Sequence, residues 1–201
     1  MWYFNGETIK TPKVMVISDI THPPGIFRDS VMLTSLGIKP FSTVTPDSRY
    51  YWNGAYTVDT SGDEVVGTYA GTAKDVATLK AGMLDTINSQ VAGKQGAIDW
   101  YWARADKGGT AVPSAISTYA TTIYTEQATK ETEVAALSTL DAIKLYERKP
   151  HTEVRKVDNG DGTFGPTTTS STRHINMLNH WTANPTDEVE VDPAFVSLTA
   201  D

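Results

Sequence analysis

The spacing of apolar positions changes twice along this chain. In residues 2–20 they fall in short runs. Trp2-Tyr3-Phe4, Asn5-Gly6 and Thr8-Ile9 predict a tight hairpin, because Asn-Gly accepts the positive φ angles such a turn demands. Lys13-Val14-Met15-Val16-Ile17 reads as another strand, and Thr21-His22-Pro23-Pro24-Gly25 breaks the chain. Residues 26–36 fit a short helix with Phe27, Val31 and Leu33 or Thr34 near one face and Gly37 as its stop. Residues 41–44 and 48–58 look extended. Within the second run, Arg49-Tyr50-Tyr51-Trp52, Asn53-Gly54 and Ala55-Tyr56-Thr57-Val58 repeat the order strand, turn, strand. Residues 61–63 read as a loop and 65–69 as a short strand.

From residue 72 the spacing lengthens to three and four. Val76, Leu79, Met83, Ile87 and Val91 form one stripe, with Gly71 or Thr72 as cap and Asp75 in the first turn. Gly93 and Gly96 each cost a helix about 1 kcal/mol relative to Ala, so the helix either kinks or continues there. Ile98, Trp102 and Ala105 resume the stripe until Lys107-Gly108-Gly109. Pro113 suits the start of another helix, with Ile116, Tyr119, Ile123 and Gln127 or Ala128 on its apolar side. Residues 126–133 are polar and expected to face solvent. A break near Ser138 and a last helical stretch over 140–148 precede Pro150.

After Pro150 the rhythm changes again. Residues 151–157 alternate, and Asp158-Asn159-Gly160-Asp161-Gly162 predicts a hairpin turn. The Ser/Thr run 167–172 reads as a linker or extended arm. Ile175, Met177, Leu178 and Trp181 make a small apolar group, Asn184-Pro185 breaks it, and 188–198 fits a strand confined to an edge by Pro193. This tail carries too little apolar surface to hold a fold alone, so it is expected to pack on a partner or lie extended. The whole pattern predicts an α+β protein: a small β-hairpin-rich region over 1–70, a central antiparallel helical hairpin or three-helix unit over 71–149, and an extended or β C-terminal arm over 150–201.

Composition narrows the functional classes. The 201 residues hold no cysteine, which removes disulfides, thiolate catalysis and cysteine-ligated zinc together. A formal charge of −7 with no Lys/Arg run argues against nucleic acid as a partner. No apolar run approaches the roughly 20 residues needed to cross a bilayer. The start Met1-Trp2-Tyr3-Phe4-Asn5 lacks the basic and apolar segments of a signal peptide, so synthesis in the cytoplasm as a soluble chain is expected.

Catalytic signals are weak. The Asp158–Gly162 turn has acidic residues, but its alternate positions are glycines and no Glu closes it as a calcium loop requires. His22, His151, His174 and His180 are scattered, and the last two are not at the i, i+4 spacing of a helical metal site. Asp99 beside Trp100 has no second carboxylate at a definable distance, as glycoside hydrolysis would need. No catalytic, cofactor or metal residue is therefore nominated. The aromatics carry more information: Trp2, Tyr3, Tyr50, Tyr51, Trp52, Trp100, Tyr101 and Trp102 fall in three groups and are the candidate interface residues. Adjacent helical residues point about 100° apart, so Trp100-Tyr101-Trp102 must serve two surfaces.

Four stretches resemble the opening of small proteins of tailed, particularly marine, bacteriophages: Met1-Trp2-Tyr3-Phe4-Asn5-Gly6-Glu7; His22-Pro23 with Phe27; Leu36-Gly37-Ile38; and Pro46-Asp47-Ser48-Arg49-Tyr50-Tyr51-Trp52. Asp99-Trp100-Tyr101 with Arg104, followed by Val112-Pro113, resembles the helical segment of phage tail-fibre and tail-fibre-assembly proteins. The likeness covers residues 1 to about 148. It implies a structural tail component at the fibre or its attachment point. Such a component would bind other tail proteins, form a homo-oligomer or join a larger assembly, and reside in the virion after assembly in the host cytoplasm. A tail-fibre assembly chaperone is the alternative, and a glycan-binding or glycan-cleaving tail protein the third reading.

Overall fold

The computed structural model describes residues 1–187 and 192–200. The fold is mixed α/β, and the chain divides into two compact units, Met1–Lys74 and Asp75–Asp201.

The first unit contains β1 (Trp2–Phe4), β2 (Glu7–Ile9), β3 (Met15–Ile17), β4 (Ile20–His22), a 3-10 turn (Pro24–Arg28), α1 (Ser30–Ser35), β5 (Lys39–Val44), β6 (Tyr51–Asp59) and β7 (Val65–Ala73). Five of its strands form one sheet in the order β2-β1-β5-β7-β6, while β3 and β4 pair separately. Asn5 and Gly6 close β1 onto β2 with φ of 47° and 86°, the pair of left-handed conformations expected of Asn-Gly. Ile9, Ile26, Phe27 and Ile38 form the core, with Trp2, Phe4, Met15, Ile17, Leu33 and Leu36 packed around it.

Two expectations change here. The helix read over 26–36 is interrupted at Asp29, whose extended backbone lets its carboxylate accept the N–H groups of Val31 and Met32 at 3.0 Å. A strong cap thus starts α1 afresh after the 3-10 turn. Asn53-Gly54 is not a turn. β6 runs straight through it, paired with β7, and the dipeptide appears only as a shift of register between Asn53 and Tyr56. The chain reverses at 60–64 instead. There Lys39 Nζ donates to the carbonyls of Thr60 and Gly62 at 2.9 and 2.8 Å, and Asp59 Oδ1 accepts from Ser61 N and Oγ. A ladder of seven paired positions outweighs the local preference of one dipeptide.

The second unit contains α2 (Val76–Gly96), α3 (Asp99–Asp106), α4 (Ser114–Ala136), α5 (Leu140–Glu147), β8 (Lys149–Asp158), β9 (Phe164–Ile175), a 3-10 turn (Met177–Asn179) and β10 (Phe195–Ala200). The cap of α2 is Asp75, which accepts from Thr78 N at 2.9 Å, rather than Gly71 or Thr72, which belong to β7. Gly93 and Gly96 both stay helical, Gly96 as the last residue of α2.

α2 and α4 run antiparallel. Gln95 Nε2 donates to Ala120 O, Gln127 Nε2 to Asn88 Oδ1, and Lys80 Nζ to the carbonyls of Ala135 and Leu137. Val91, Ile98, Ile116, Tyr119, Ala120 and Ile123 form the core between them, covered by Tyr101, Trp102, Val112 and Trp181. Residues 126–133 are not uniformly solvent-facing as expected, since Lys130 is only 5% exposed. The Ser/Thr run 167–172 is no linker: it lies within β9, and Thr168 to Thr172 pair with β8 residue for residue. β10, β8 and β9 form an antiparallel sheet in that order, so β10 lies at an edge. Residues 188–191 of the strand expected over 188–198 lie outside the described residues.

Candidate functional site

The eight aromatics singled out from sequence separate into buried and displayed sets. Trp2 packs in the first core with its ring 4.7 Å from that of Phe27, and Tyr3 stacks on Phe41 at 6.2 Å. Tyr50 is 5% exposed and belongs to the interior. Tyr101 and Trp102 cover the α2–α4 core. Trp52 and Trp100 are 63% and 50% exposed.

β6 positions the larger displayed surface. It is exposed from Trp52 through Asp59, although it pairs with β7 over nearly its whole length. Residues opposite one another in a ladder share a face. Tyr51 with Ala73, Tyr56 with Tyr69, and Val58 with Gly67 therefore lie on one face, and Trp52 with Thr72 on the other.

On the first face the Tyr56 and Tyr69 rings meet at 4.6 Å, and Tyr51 and Pro46 close over Gly71. On the second, Lys74 Nζ sits 4.3 Å from the Trp52 ring centre while donating to Ser48 O at 2.7 Å. The cation holds the indole without covering it. The result is a two-sided ribbon of large, partly desolvated rings on a regular backbone. Sequence reasoning missed Tyr56, Val58 and Tyr69, because the false Asn-Gly turn hid the alternation that places them together.

In the second unit, the Arg104 guanidinium lies 4.8 Å over Trp100 and 5.4 Å over Tyr101, and those two rings meet at 3.8 Å with their planes tilted by 32°. The triple Trp100-Tyr101-Trp102 is divided between the core and solvent. Trp102 and Tyr101 pack inward and Trp100 points to solvent.

A further cluster was legible only in its apolar half, Met177, Leu178 and Trp181, and not in the Lys130 and Gln90 that join it. Lys130 Nζ donates to the carbonyl of Met177 and lies 4.8 Å over Trp181, whose indole N–H is shared between Gln90 Oε1 at 2.6 Å and Leu178 O at 2.9 Å. Gln90 Nε2 donates in turn to Asn179 Oδ1. Burial pushes the Lys130 ammonium below the usual lysine range, against the pull of Glu133 and Glu126. These contacts clamp the Met177–Asn179 turn onto α2 and α4.

The carboxylates of the acidic turn are satisfied locally, whereas the buried Nε2 atoms of His22 and His151 have no hydrogen-bond partner. Asp158 accepts from Gly160 N, and Asp161 accepts from Thr163 N and Oγ1, which holds its carboxyl below the usual range. Among the described residues, no group of three His, Asp or Glu converges as a metal would need. His174 and His180 line a shallow hollow of about 340 Å³ with Arg173 and Asn179. A larger apolar hollow of about 420 Å³ lies between the end of α4, α5, Pro150 and Met177. At its wall Tyr146 Oη donates to Glu133 Oε2 at 2.8 Å. Glu153, 7% exposed, is paired with Arg155 Nε at 2.6 Å, and Arg155 reaches Asp192 at 2.5 Å. Comparison with protein-family models, curated proteins and solved structures returns no match for this chain.

Proposed function

We propose that this chain is a structural component of a phage tail, at the fibre or its attachment point, and that it works by binding other tail proteins. One observation supports the reading above the rest. β6 and β7 carry Trp52, Tyr56, Val58 and Tyr69 on a fixed ladder, with Trp52 and Tyr56 63% and 43% exposed. Rings held by ring pairs and by Lys74 lose little conformational freedom when covered, so each contributes most of its buried area to affinity. The resemblance of residues 1–148 to tail-fibre and tail-fibre-assembly proteins supplies the kind of partner. In this reading β6 and β7 of the first unit display the rings, and the α2–α4 pair of the second unit supports the C-terminal sheet of that same unit.

The test is a quantitative mass-spectrometric inventory of purified particles and of infected cells. A tail component is found in mature particles at a fixed ratio to other tail proteins. Co-isolation with fibre protein during infection, without the chain in mature particles, would instead establish the assembly chaperone. Hydrolysis of host glycan abolished by Asp99→Ala would replace both by an enzyme.

A further inference from the structure

We infer that the free edge of β9 is a homotypic interface, at which a second copy of this chain adds its own β9 antiparallel to the first. β9 pairs with β8 in regular register from Lys149↔Ile175 to Lys156↔Thr168. Among the described residues, no strand pairs with its other edge. The strand is exposed on both faces from 166 to 174, so nine of its twelve residues are held chiefly by the β8 ladder.

An edge of this kind invites another strand. Proteins that must avoid it place lysine, proline or a bulge there. β9 has Pro166, inside the register shift between Phe164 and Thr168, at one end and Arg173-His174 at the other. Between them, Thr167-Thr168-Thr169-Ser170-Ser171-Thr172 carries no charge, no proline and four β-branched residues. Those threonines have no packing role in the isolated chain, yet they are residues that favour strand pairing.

The chemistry of this edge selects a second copy. The chain carries −7 overall, so most faces of two copies repel, whereas this edge is neutral. A two-fold axis at Ser170 sets Thr169 opposite Ser171 and Thr168 opposite Thr172. Hydroxyl side chains then meet across the seam, a favourable cross-strand combination. The same axis sets Arg173 opposite Thr167, so no like charges meet. Pairing of about seven residues buries less than the ~1,200 Å² of a stable interface, so association depends on concentration and is strengthened where copies are already held together.

The inference concerns an edge separate from the Trp52–Tyr56 ribbon, and its test needs no phage partner. Sedimentation of the full-length chain over a concentration series is expected to show a reversible dimer. Ser170→Lys and Ser170→Asp, each with unchanged circular dichroism, are expected to be monomeric alone. Their mixture should dimerise at least about tenfold more tightly than either, as opposite charges replace like ones across the axis. Because the chain has no cysteine, Ser170→Cys should cross-link to its copy under mild oxidation, and Ser61→Cys on the β6–β7 turn should not. A wild-type chain that stays monomeric throughout overturns the inference. So does a dimer indifferent to Ser170→Lys, or a Ser170→Cys chain that cross-links no faster than Ser61→Cys.

Discussion

The ring of Tyr56 lies across Gly67. A Cβ at residue 67 would fall less than 3.0 Å from its Oη, Cζ and Cε2 atoms. The absent side chain is what seats the ring against Tyr69. Gly67→Ala is therefore expected to swing Tyr56 off the sheet at a stability cost of about 1 kcal/mol, since a flexible, exposed side chain can give way. In a Tyr56→Ala background the same substitution should cost nearly nothing. A thermal or urea double-mutant cycle measures that coupling.

Trp102 and Trp100 stand two residues apart with different duties. Trp102 packs against the α2–α4 core, and Trp102→Ala should destabilise the second unit by about 2–3 kcal/mol. Trp100 is half-exposed and rests on Arg104, so Trp100→Ala should cost under about 1 kcal/mol. Chemical denaturation of both variants tests the ranking.

Lys130 should make stability rise with alkalinity. Its folded ammonium loses its proton below the ordinary lysine value of 10.5, so between those two points the native state binds fewer protons than the unfolded one. The contribution of this group to stability therefore increases with pH across that window. Lys130→Met keeps the stem's volume and removes the titration. Melting curves of the two proteins as pH rises toward the ordinary lysine value of 10.5 should show wild type gaining on the variant.

Tyr146 acts with the opposite sign at higher pH. Burial first, and then the Glu133 carboxylate it donates to, raise its phenol well above the ordinary 10.0. The stability it contributes is complete below pH 10 and is lost as pH climbs toward the folded value, because the unfolded phenol ionises first. Tyr119 is shifted the same way by burial, so Tyr146→Phe should flatten only part of the alkaline decline. At pH 7 the substitution should cost about 1 kcal/mol for one lost hydrogen bond.

Much of the element order could be read because spacing is a local property. The 3.6-residue stripe from Val76 to Val91 and the Asn5-Gly6 hairpin need no distant partner to be recognised. Features decided by pairing at a distance could not be read. Asn53-Gly54 has the chemistry of a turn, but β7 lies alongside and keeps the strand straight. The run 167–172 has the composition of a linker until β8 supplies its ladder. Lys130 looked solvent-facing because nothing local announces that Met177 and Trp181, about fifty residues on, close over it. The displayed ribbon was half visible: Trp52 stood out by type, while Tyr56 and Tyr69 meet only through the β6–β7 register.

The most direct test of the binding role is incorporation of a ribbon variant into particles. Phage carrying Trp52→Ala with Tyr56→Ala, in a chain shown to be folded and present in infected cells, would be purified beside wild type. The copy number of the chain per particle would then be measured by mass spectrometry. The account predicts a fixed copy number in wild-type particles and a loss of at least about tenfold in the variant, the effect expected of removing two aromatic anchors. Equal incorporation of both proteins, or absence of the chain from wild-type particles, would contradict it.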